Sequence, residues 1–331
     1  MRSLGVSSNG SKSRFATLLV GFFCLACLAA GGAGAAYPDR PVKMIVPYPA
    51  GGSTDGTARL VAQKLSEMWG QAVVVDNRPG ADTQIGNSAV ATAAPDGYTL
   101  LIIATTFAIS KSLYPNLPYD QARDFTPIVP VAIAPFYLLV GNGLPAKNVG
   151  ELIAMAKRDP GKLNYAVSSA TNFMAAEMMK QAAGIDVMPI RYKGGAPAVV
   201  AVVTGEVTYG LENPLSVQPM LDAGKLRVLA VTGERRPTAL PAVPTFSEVG
   251  LGAADIGAWV GVAGPKGIPA DVVEKINADV RTVVAMPDVR QKLDFYMATP
   301  IVQDTAQFAA FIKREFDRYE AVVKSNKLTP P

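Results

Sequence analysis

The stretch VKMIVPYPAGGSTDGTARLVAQ, residues 42–63, is the starting point for interpreting the chain. Apolar residues at 44–46 predict a buried strand, the pair Gly51 and Gly52 predicts a tight turn, and an amphipathic helix follows. The first-turn N–H groups of such a helix are unpaired and lie at the positive end of its dipole, so they can hold a carboxylate or phosphate. Ser53 or Thr54 is expected to cap the helix. The stretch lacks GxxxxGK(S/T) and GxGxxG, and most junctions of this kind are only packing and capping.

The first 36 residues have the layout of a secretory signal. Arg2, Lys12 and Arg14 precede an apolar run at 15–30, and small residues at 33–36 come before Tyr37. The run is too short to favour a membrane span. We expect cleavage at Ala36 or Tyr37. The poor lipid-attachment box around Cys27 leaves lipidation as the minor alternative.

Removal of this segment changes the chemistry that the chain can offer. Both cysteines leave with it, and the remaining 28 basic and 27 acidic residues nearly balance, with no histidine anywhere. This composition excludes a Ser-His-Asp triad, a cysteine nucleophile and zinc sites built from His or Cys. A nearly neutral surface also argues against nucleic acid as a partner. We expect no enzyme, cofactor or metal, although catalysis by paired carboxylates stays open.

The mature chain alternates strands and helices, which predicts an α/β fold with mainly parallel sheets flanked by helices. Thr105, Thr106 and Phe107 follow a strand ending at Ala104, where open α/β sheets bind ligands. A proline-rich passage then leads to a second strand, polar turn and helix, with the turn at residues 168–172. We expect domain 1 at residues 37–140 plus 261–331 and domain 2 at 141–260. The two crossings, near Val140 and Val260, predict a hinge.

Five short motifs follow one another along the mature chain. They are YPDRP at 37–41, VPYPAGGSTD at 46–55 with Ala58 and Arg59, NRPG at 77–80, PDGYTL at 95–100, and YKG at 192–194 with APA at 196–198. With these motifs the chain resembles the Bug-type periplasmic solute receptors, the extracytoplasmic binding components of tripartite tricarboxylate transporters. The resemblance implies a two-domain periplasmic-binding-protein fold of the second type (Venus-flytrap) that closes on a small carboxylate.

The resemblance also implies a site, a location and partners. Backbone amides, hydroxyls and ordered water hold the carboxylate in the family. The first half-site would be Tyr48, Ala50, Gly51, Gly52, Ser53, Thr54, Asp55, Thr105, Thr106 and Phe107, and the second Ser168, Ser169, Thr171, Asn172, Tyr192, Lys193, Gly194 and Glu212. The receptor would be a periplasmic monomer that docks transiently to a membrane permease pair. The alternative partner is a membrane sensor.

Two loops depart from the family pattern. Residues 169–174 replace a glycine-rich turn that is often followed by histidine, and residues 81–84 replace a glycine pair. The bulk of Ala170 and Phe173 would narrow the cleft, so the ligand is not identified from the sequence.

Three charged residues carry competing interpretations. Asp55 suits the dipole of its helix as well as it suits a ligand contact. Lys193 would face a distal carboxylate, although a lone lysine beside glycines is more often solvated. Glu212, at the carboxyl end of a strand, would repel a polyanion and receive an ammonium group. An enzyme that uses Asp55 and Glu212 as acid and base is the alternative from another class.

Overall fold

The computed structural model describes Met1, Ser3, Gly5 and residues 37–330. The chain divides into two compact units, Met1–Asp39 and Arg40–Pro331. All helices and strands reported below belong to the second unit. Apart from three residues, the predicted signal segment, with Ala36 and Cys27, lies outside the described residues, so cleavage and lipidation stay predictions.

Strands and helices alternate through most of the second unit. The strands are β1 (Val42–Val46), β2 (Val73–Asn77), β3 (Thr99–Ala104), β4 (Phe125–Ala134), β5 (Tyr137–Gly141), β6 (Asn164–Val167), β7 (Met188–Arg191), β8 (Tyr209–Glu212), β9 (Leu226–Val231), β10 (Ala258–Pro265) and β11 (Thr299–Pro300). The helices are α1 (Ser53–Trp69), α2 (Gln84–Ala91), α3 (Thr105–Leu113), α4 (Val149–Arg158), α5 (Ala170–Ala183), α6 (Gly195–Thr204), α7 (Pro214–Asp222), α8 (Ala270–Ala285), α9 (Pro287–Phe295) and α10 (Thr305–Asn326), with a 3₁₀ turn at Gly252–Ala254.

The strands form two sheets, and the predicted α/β fold with helices on both is confirmed. The first sheet has the order β11-β4-β10-β3-β1-β2 and the second β7-β6-β8-β5-β9. The expectation of mainly parallel sheets was wrong, because both sheets are mixed. Strands joined by crossover helices, such as β1, β2 and β3, pair in parallel. Strands next to a passage between the sheets, β4, β5 and β10, pair antiparallel.

The chain passes between the sheets twice. It leaves the first sheet between β4 and β5 and returns between β9 and β10. The strand expected to leave the first domain, β5, belongs instead to the second sheet, where it pairs with β8 and β9. Sheet membership therefore moves the first crossing a few residues before Val140. The domain limits 37–140 with 261–331 and 141–260 remain a proposal.

Strand β4 was missed in the sequence because it contains Pro127 and Pro130. Proline lacks the N–H that a central strand needs, so it is confined to edges and bulges. Both conditions hold here. The pairing of β4 with β10 shifts register at Val260/Gly261 and at Val262/Ala263, next to the residues opposite the prolines. On its other side β4 meets only the two-residue strand β11.

One hydrophobic cluster extends through both sheets. It joins Ile45 and Phe107 of the first half, the part of the chain built on the first sheet, to Tyr165 and Met174 of the second half, the part built on the second sheet. Helix α3 packs against α5, and α10 packs against α3. The two helices that begin at Thr105 and Ala170 are therefore fixed side by side, which brings their first turns together.

Gly261 of β10 is a test of this packing. A Cβ atom there would lie 2.5 Å from Cζ of Phe308 and 2.9 Å from the carbonyl oxygen of Val129. We expect Gly261→Ala to lower the free energy of unfolding by roughly 1–3 kcal/mol, because the ring and the strand must move. Urea unfolding measures the change. Gly143→Ala is the matched control, since a Cβ at Gly143 meets nothing within 4 Å. Equal effects of the two substitutions would contradict the packing argument.

Candidate functional site

Helix α1 begins without a side-chain cap. Its N-cap is Gly52, so the expectation that Ser53 or Thr54 caps the helix was wrong. The physical reason is that the glycine pair lets the chain reach the helix one residue earlier, with Gly51 at φ 90°. Ala50, Gly51 and Gly52 are exposed. First-turn donors of α1 are therefore left for a ligand or water.

The buried side chain of Asp55 holds the glycine turn by a hydrogen bond. It is 2% exposed and its Oδ2 accepts hydrogen bonds from the Gly51 N–H at 2.9 Å and from Arg59 Nε at 3.0 Å. Its Oδ1 accepts from Asn77 Nδ2 at 2.8 Å. Burial alone would raise the pKa of Asp55, but the hydrogen bonds from Arg59, Gly51 and Asn77 lower it overall. The carboxylate is thus directed at the protein's own turn.

Asn77 and Tyr48 connect this turn to its neighbours. Asn77 Nδ2 also donates to the carbonyl oxygen of Tyr48 at 3.1 Å, and Asn77 Oδ1 accepts from Arg59 at 2.7 Å. Burial raises the pKa of the Tyr48 hydroxyl, and the nearby Thr106 side chain offsets part of this effect. Sequence reasoning missed the roles of Asn77 and Arg59. Both residues stand in the motifs that carry the resemblance, which was the available signal.

The predicted loop at 105–107 is the first turn of α3. This helix starts directly after β3, with Ala104 as N-cap and no side-chain cap. Thr105 Oγ1 donates to the Gly257 carbonyl at 2.9 Å and accepts from the Trp259 N–H at 3.0 Å. Phe107 is 2% exposed and packs edge-on against Phe125, with ring centroids 5.3 Å apart. Thr105 and Phe107 therefore fix the helix start and belong to the core.

The first turn of α5 is the counterpart, in the second half, of the first turn of α3. Helix α5 begins at Ala170, so Thr171 and Asn172, which were predicted to lie in the turn at residues 168–172, lie in its first turn. Its N-cap Ser169 accepts from the Asn172 N–H at 3.2 Å. The Asn172 side chain donates to the carbonyl oxygen of Leu211. Asn172 is therefore used mainly to join α5 to β8.

Two hydroxyl groups link the halves. Thr106 Oγ1 of α3 lies 3.1 Å from Thr171 Oγ1 of α5, and the two residues are 9% and 7% exposed. Their predicted half-sites are thus brought together at this point. Because Tyr48 lies near Thr106, the glycine turn also approaches this contact.

The second sheet gathers three helix starts at one edge. Strands β7, β6 and β8 are parallel neighbours, so their carboxyl ends meet and α5, α6 and α7 begin there. Gly194 precedes α6 with φ 103° and no side-chain cap. Asn213 caps α7 by accepting from the Ser216 N–H at 3.1 Å.

Tyr192 and Lys193 are less closely tied to this edge. The Tyr192 hydroxyl donates to Glu206 Oε1 at 2.8 Å, and burial followed by this hydrogen bond raises its pKa to about 12. Lys193 is exposed. The solvated interpretation of Lys193 matches its position better than a buried contact would.

Glu212 is the exceptional acid of this edge. It is 1% exposed, and within the described chain neither carboxyl oxygen has a hydrogen-bond partner. A Cβ on Gly195 would lie 3.0 Å from its Oε2, so the carboxyl group faces the start of α6. Burial raises its pKa to about 7, and nearby Ser168 and Asn172 offset only part of that effect.

Other features of the described chain add no competing site. The described residues contain no group of three or more His, Cys, Asp or Glu side chains arranged to bind a metal. Nor does any of the described helices have the length and apolar character that a membrane span needs. A cavity of about 490 Å³ lies beside the start of α4 and is lined by Lys147, Val228 and Pro244, away from every predicted site residue. Asn148 caps that helix by accepting from Glu151.

Sequence comparisons identify related proteins. The family profile described as "Tripartite tricarboxylate transporter family receptor" matches residues 57–328. Protein BugT of Bordetella pertussis is 35% identical over 307 residues, covering 92% of this chain and 94% of BugT. The UPF0065 protein of the tcbD-tcbE intergenic region of Pseudomonas sp. strain P51 is 34% identical, covering 88% of each chain.

Solved structures have the same fold. Rpa4515 of R. palustris with adipate has a TM-score of 0.79 and 34% identity, covering 89% of this chain and 100% of its own. MatC of Rhodopseudomonas palustris with bound malate has a TM-score of 0.75 and 30% identity, covering 87% and 100%. The periplasmic binding protein BugD gives 0.75 and 30%, covering 88% and 99%.

The burial of Glu212 predicts a pH-dependent stability difference. Its folded-state pKa of about 7 lies above the ordinary value of 4.5, so the ionised form destabilises the fold increasingly between these pH values. We expect Glu212→Gln to leave the free energy of unfolding nearly unchanged at about pH 4 and to raise it by about 2–3 kcal/mol at about pH 8. Urea unfolding of the ligand-free protein at both pH values measures this. A difference that does not change with pH would contradict the burial argument.

Proposed function

Since the chain belongs to the tripartite tricarboxylate transporter receptor family, the Bug-type solute receptors, we propose that it binds a small carboxylate where its two sheets meet. Its relatives include periplasmic binding proteins. For this chain we propose the same periplasmic location, reached through the predicted signal at residues 1–36. We further propose that it is monomeric and delivers its ligand to a tripartite membrane transporter.

The observation that carries the proposal is the contact between Thr106 and Thr171. It places the uncapped start of α3 beside the start of α5, one helix from each half. Through Tyr48 the uncapped start of α1 is joined to the same point. Helix starts of this kind offer backbone N–H groups and positive dipole ends to an anion. Three starts from two sheets would enclose a carboxylate without a basic side chain.

We assign two kinds of role around this point. Backbone groups at residues 50–54 and the hydroxyls of Thr106, Ser168, Ser169 and Thr171 would contact the ligand. Asp55 would be a positioning residue that holds the glycine turn through Gly51, because its oxygens are already engaged. Lys193 and Gly194 would border the site. Tyr48 would connect the two segments of the first half of the site, the glycine turn and the start of α3.

We propose a carboxylate rather than a phosphate as the ligand because of the molecules bound in related structures. Structures at 34% and 30% identity contain adipate and malate, respectively. Both are dicarboxylates, and both proteins are covered over their full length by this chain. We therefore propose a dicarboxylate as the first ligand to test.

The alternatives have less support. An enzyme with Asp55 as general acid or base would need a carboxyl group free to exchange protons, whereas the pKa of Asp55 is lowered by hydrogen bonds from Arg59, Gly51 and Asn77 that outweigh its burial. Matches to a receptor family also favour binding over turnover. A membrane sensor in place of a permease would leave the binding site unchanged, so it alters only the proposed partner.

A binding screen tests the proposal directly. Mature protein is screened by thermal shift with adipate, malate, succinate and citrate, and hits are titrated by calorimetry. We expect binding of at least one. Thr171→Val should weaken it roughly tenfold or more, because a hydrogen bond to a charged group is lost. Thr282→Val, an exposed threonine of α8, is the matched control. No shift with any acid would overturn the proposal.

The predicted hinge gives a second test. If the Thr106–Thr171 contact forms when the halves close on a ligand, the ligand-free protein in solution should be more open. Small-angle scattering should then show a smaller radius of gyration at saturating ligand. An unchanged profile, with binding verified in the same sample, would contradict closure.

A further inference from the structure

Glu212 is a buried acid whose charge is not balanced by the protein. Within the described residues neither carboxyl oxygen has a hydrogen-bond partner of good geometry. The Ser168 and Asn172 side chains are close enough to lower the pKa of Glu212, but burial raises it by more, and no cation contributes. An isolated ionised carboxylate in such surroundings is costly. A native fold that keeps one there calls for a physical explanation.

The elements packed around Glu212 contain few charges. Helix α6, GAPAVVAVVT, contains no ionisable side chain. On α5, Glu177 accepts from the Tyr165 hydroxyl of β6 at 2.6 Å, and Lys180 lies 3.6 Å from Asp186. On α7, Asp222 accepts from Gln218.

The strands and the loop beside it supply no counter-charge either. Tyr137 of β5 lies opposite Glu212 and donates to the sulfur of Met297. Tyr209 lies on β8 itself and is fully buried. In the loop before α6, Tyr192 donates to Glu206, and Lys193 is exposed.

The carboxyl group lies close to the proposed ligand position. Its neighbours Ser168 and Asn172 belong to the same helix start as Thr171, which makes the contact to Thr106. An anion held at the start of α5 would therefore approach Glu212. Two like charges at close range in a buried site repel strongly, so an ionised Glu212 and a bound dicarboxylate disfavour each other.

We propose that Glu212 is a specificity-determining residue that takes up one proton from solvent when a dicarboxylate binds and then donates a hydrogen bond to the ligand. The inference rests on the proposed function. Protonation removes the repulsion and gives the unpartnered carboxyl group a donor that a carboxylate can accept. The cost near neutral pH is small, since burial already raises the pKa of free Glu212 to about 7.

The opposite mechanism predicts the opposite pH dependence. A ligand ammonium group would bind ionised Glu212, so affinity would increase as the pH rises. A proton taken up with a dicarboxylate makes affinity constant below the pKa of the ligand-free protein and lower above it.

Calorimetry of the mature protein with adipate, malate and succinate distinguishes these cases. Titrations run from about pH 6 to about pH 9, where carboxylic acids stay ionised. We expect the Kd of the tightest ligand to rise up to about tenfold per pH unit above about pH 7. Buffers of different ionisation enthalpy should report uptake of close to one proton at about pH 8.

Two substitutions separate Glu212 from general charge effects. Glu212→Gln, which is neutral at every pH, should bind with a pH-independent Kd and without proton uptake. Glu234→Gln, an exposed acid of the same half, should behave as wild type. Circular dichroism checks that both variants fold. Wild-type proton uptake tests the proposal without either variant.

The outcomes are distinct. Dicarboxylate binding that is independent of pH, or that strengthens as the pH rises, would overturn the role of Glu212 and leave the proposed function standing. Proton uptake retained in Glu212→Gln would also overturn it. No binding of any of the three dicarboxylates at any pH would overturn the role of Glu212, and the proposed function as well only if citrate also fails to bind.

Discussion

The 3.1 Å contact between the hydroxyls of Thr106 and Thr171 is the constraint on which the arrangement depends. Each threonine stands in the first turn of a helix. Helix α3 starts directly after β3, and α5 starts at Ala170, after the short turn that follows Val167 of β6. The helices pack side by side within one hydrophobic cluster, so their starts meet at a fixed place. A hydroxyl pair is small enough to let two backbones approach and polar enough to face an anion.

Much of the fold follows from sequence pattern, because apolar runs and turn residues are local signals. The alternation of strands and helices that these signals predict is observed through most of the chain. The prediction failed for strands whose existence or sheet membership depends on pairing with residues that are distant in sequence. Pro127 and Pro130 conceal β4, whose irregular pairing with β10 cannot be read locally. The sheet to which β5 belongs depends on partners about 70–90 residues away.

The placement of predicted site residues at strand ends and helix starts follows from the sequence pattern, whereas their electrostatics do not. The sequence placed Asp55 in the first turn of a helix and Glu212 at the carboxyl end of a strand, and the enzyme alternative paired them as acid and base. In the fold Asp55 receives three hydrogen bonds, one of them from Asn77, which is 22 residues away. Glu212 receives none of comparable geometry among the described residues, and the nearby Ser168 and Asn172 offset only part of the effect of its burial. Their pKa values move in opposite directions for this reason, and such divergence assigns different roles to two carboxyl groups. Only tertiary structure could reveal it.

Trp259 lies where the chain returns to the first sheet, and this placement has a spectroscopic consequence. Its indole N–H donates to Glu315 at 3.1 Å, and its backbone N–H donates to Thr105. The sequence contains two tryptophans, and the other, Trp69, is on α1. The Trp259 ring packs edge-on against Phe308 and Phe311 of α10. Trp259 is thus an intrinsic fluorophore whose emission reports on the packing of α10 against the first sheet, without an added label.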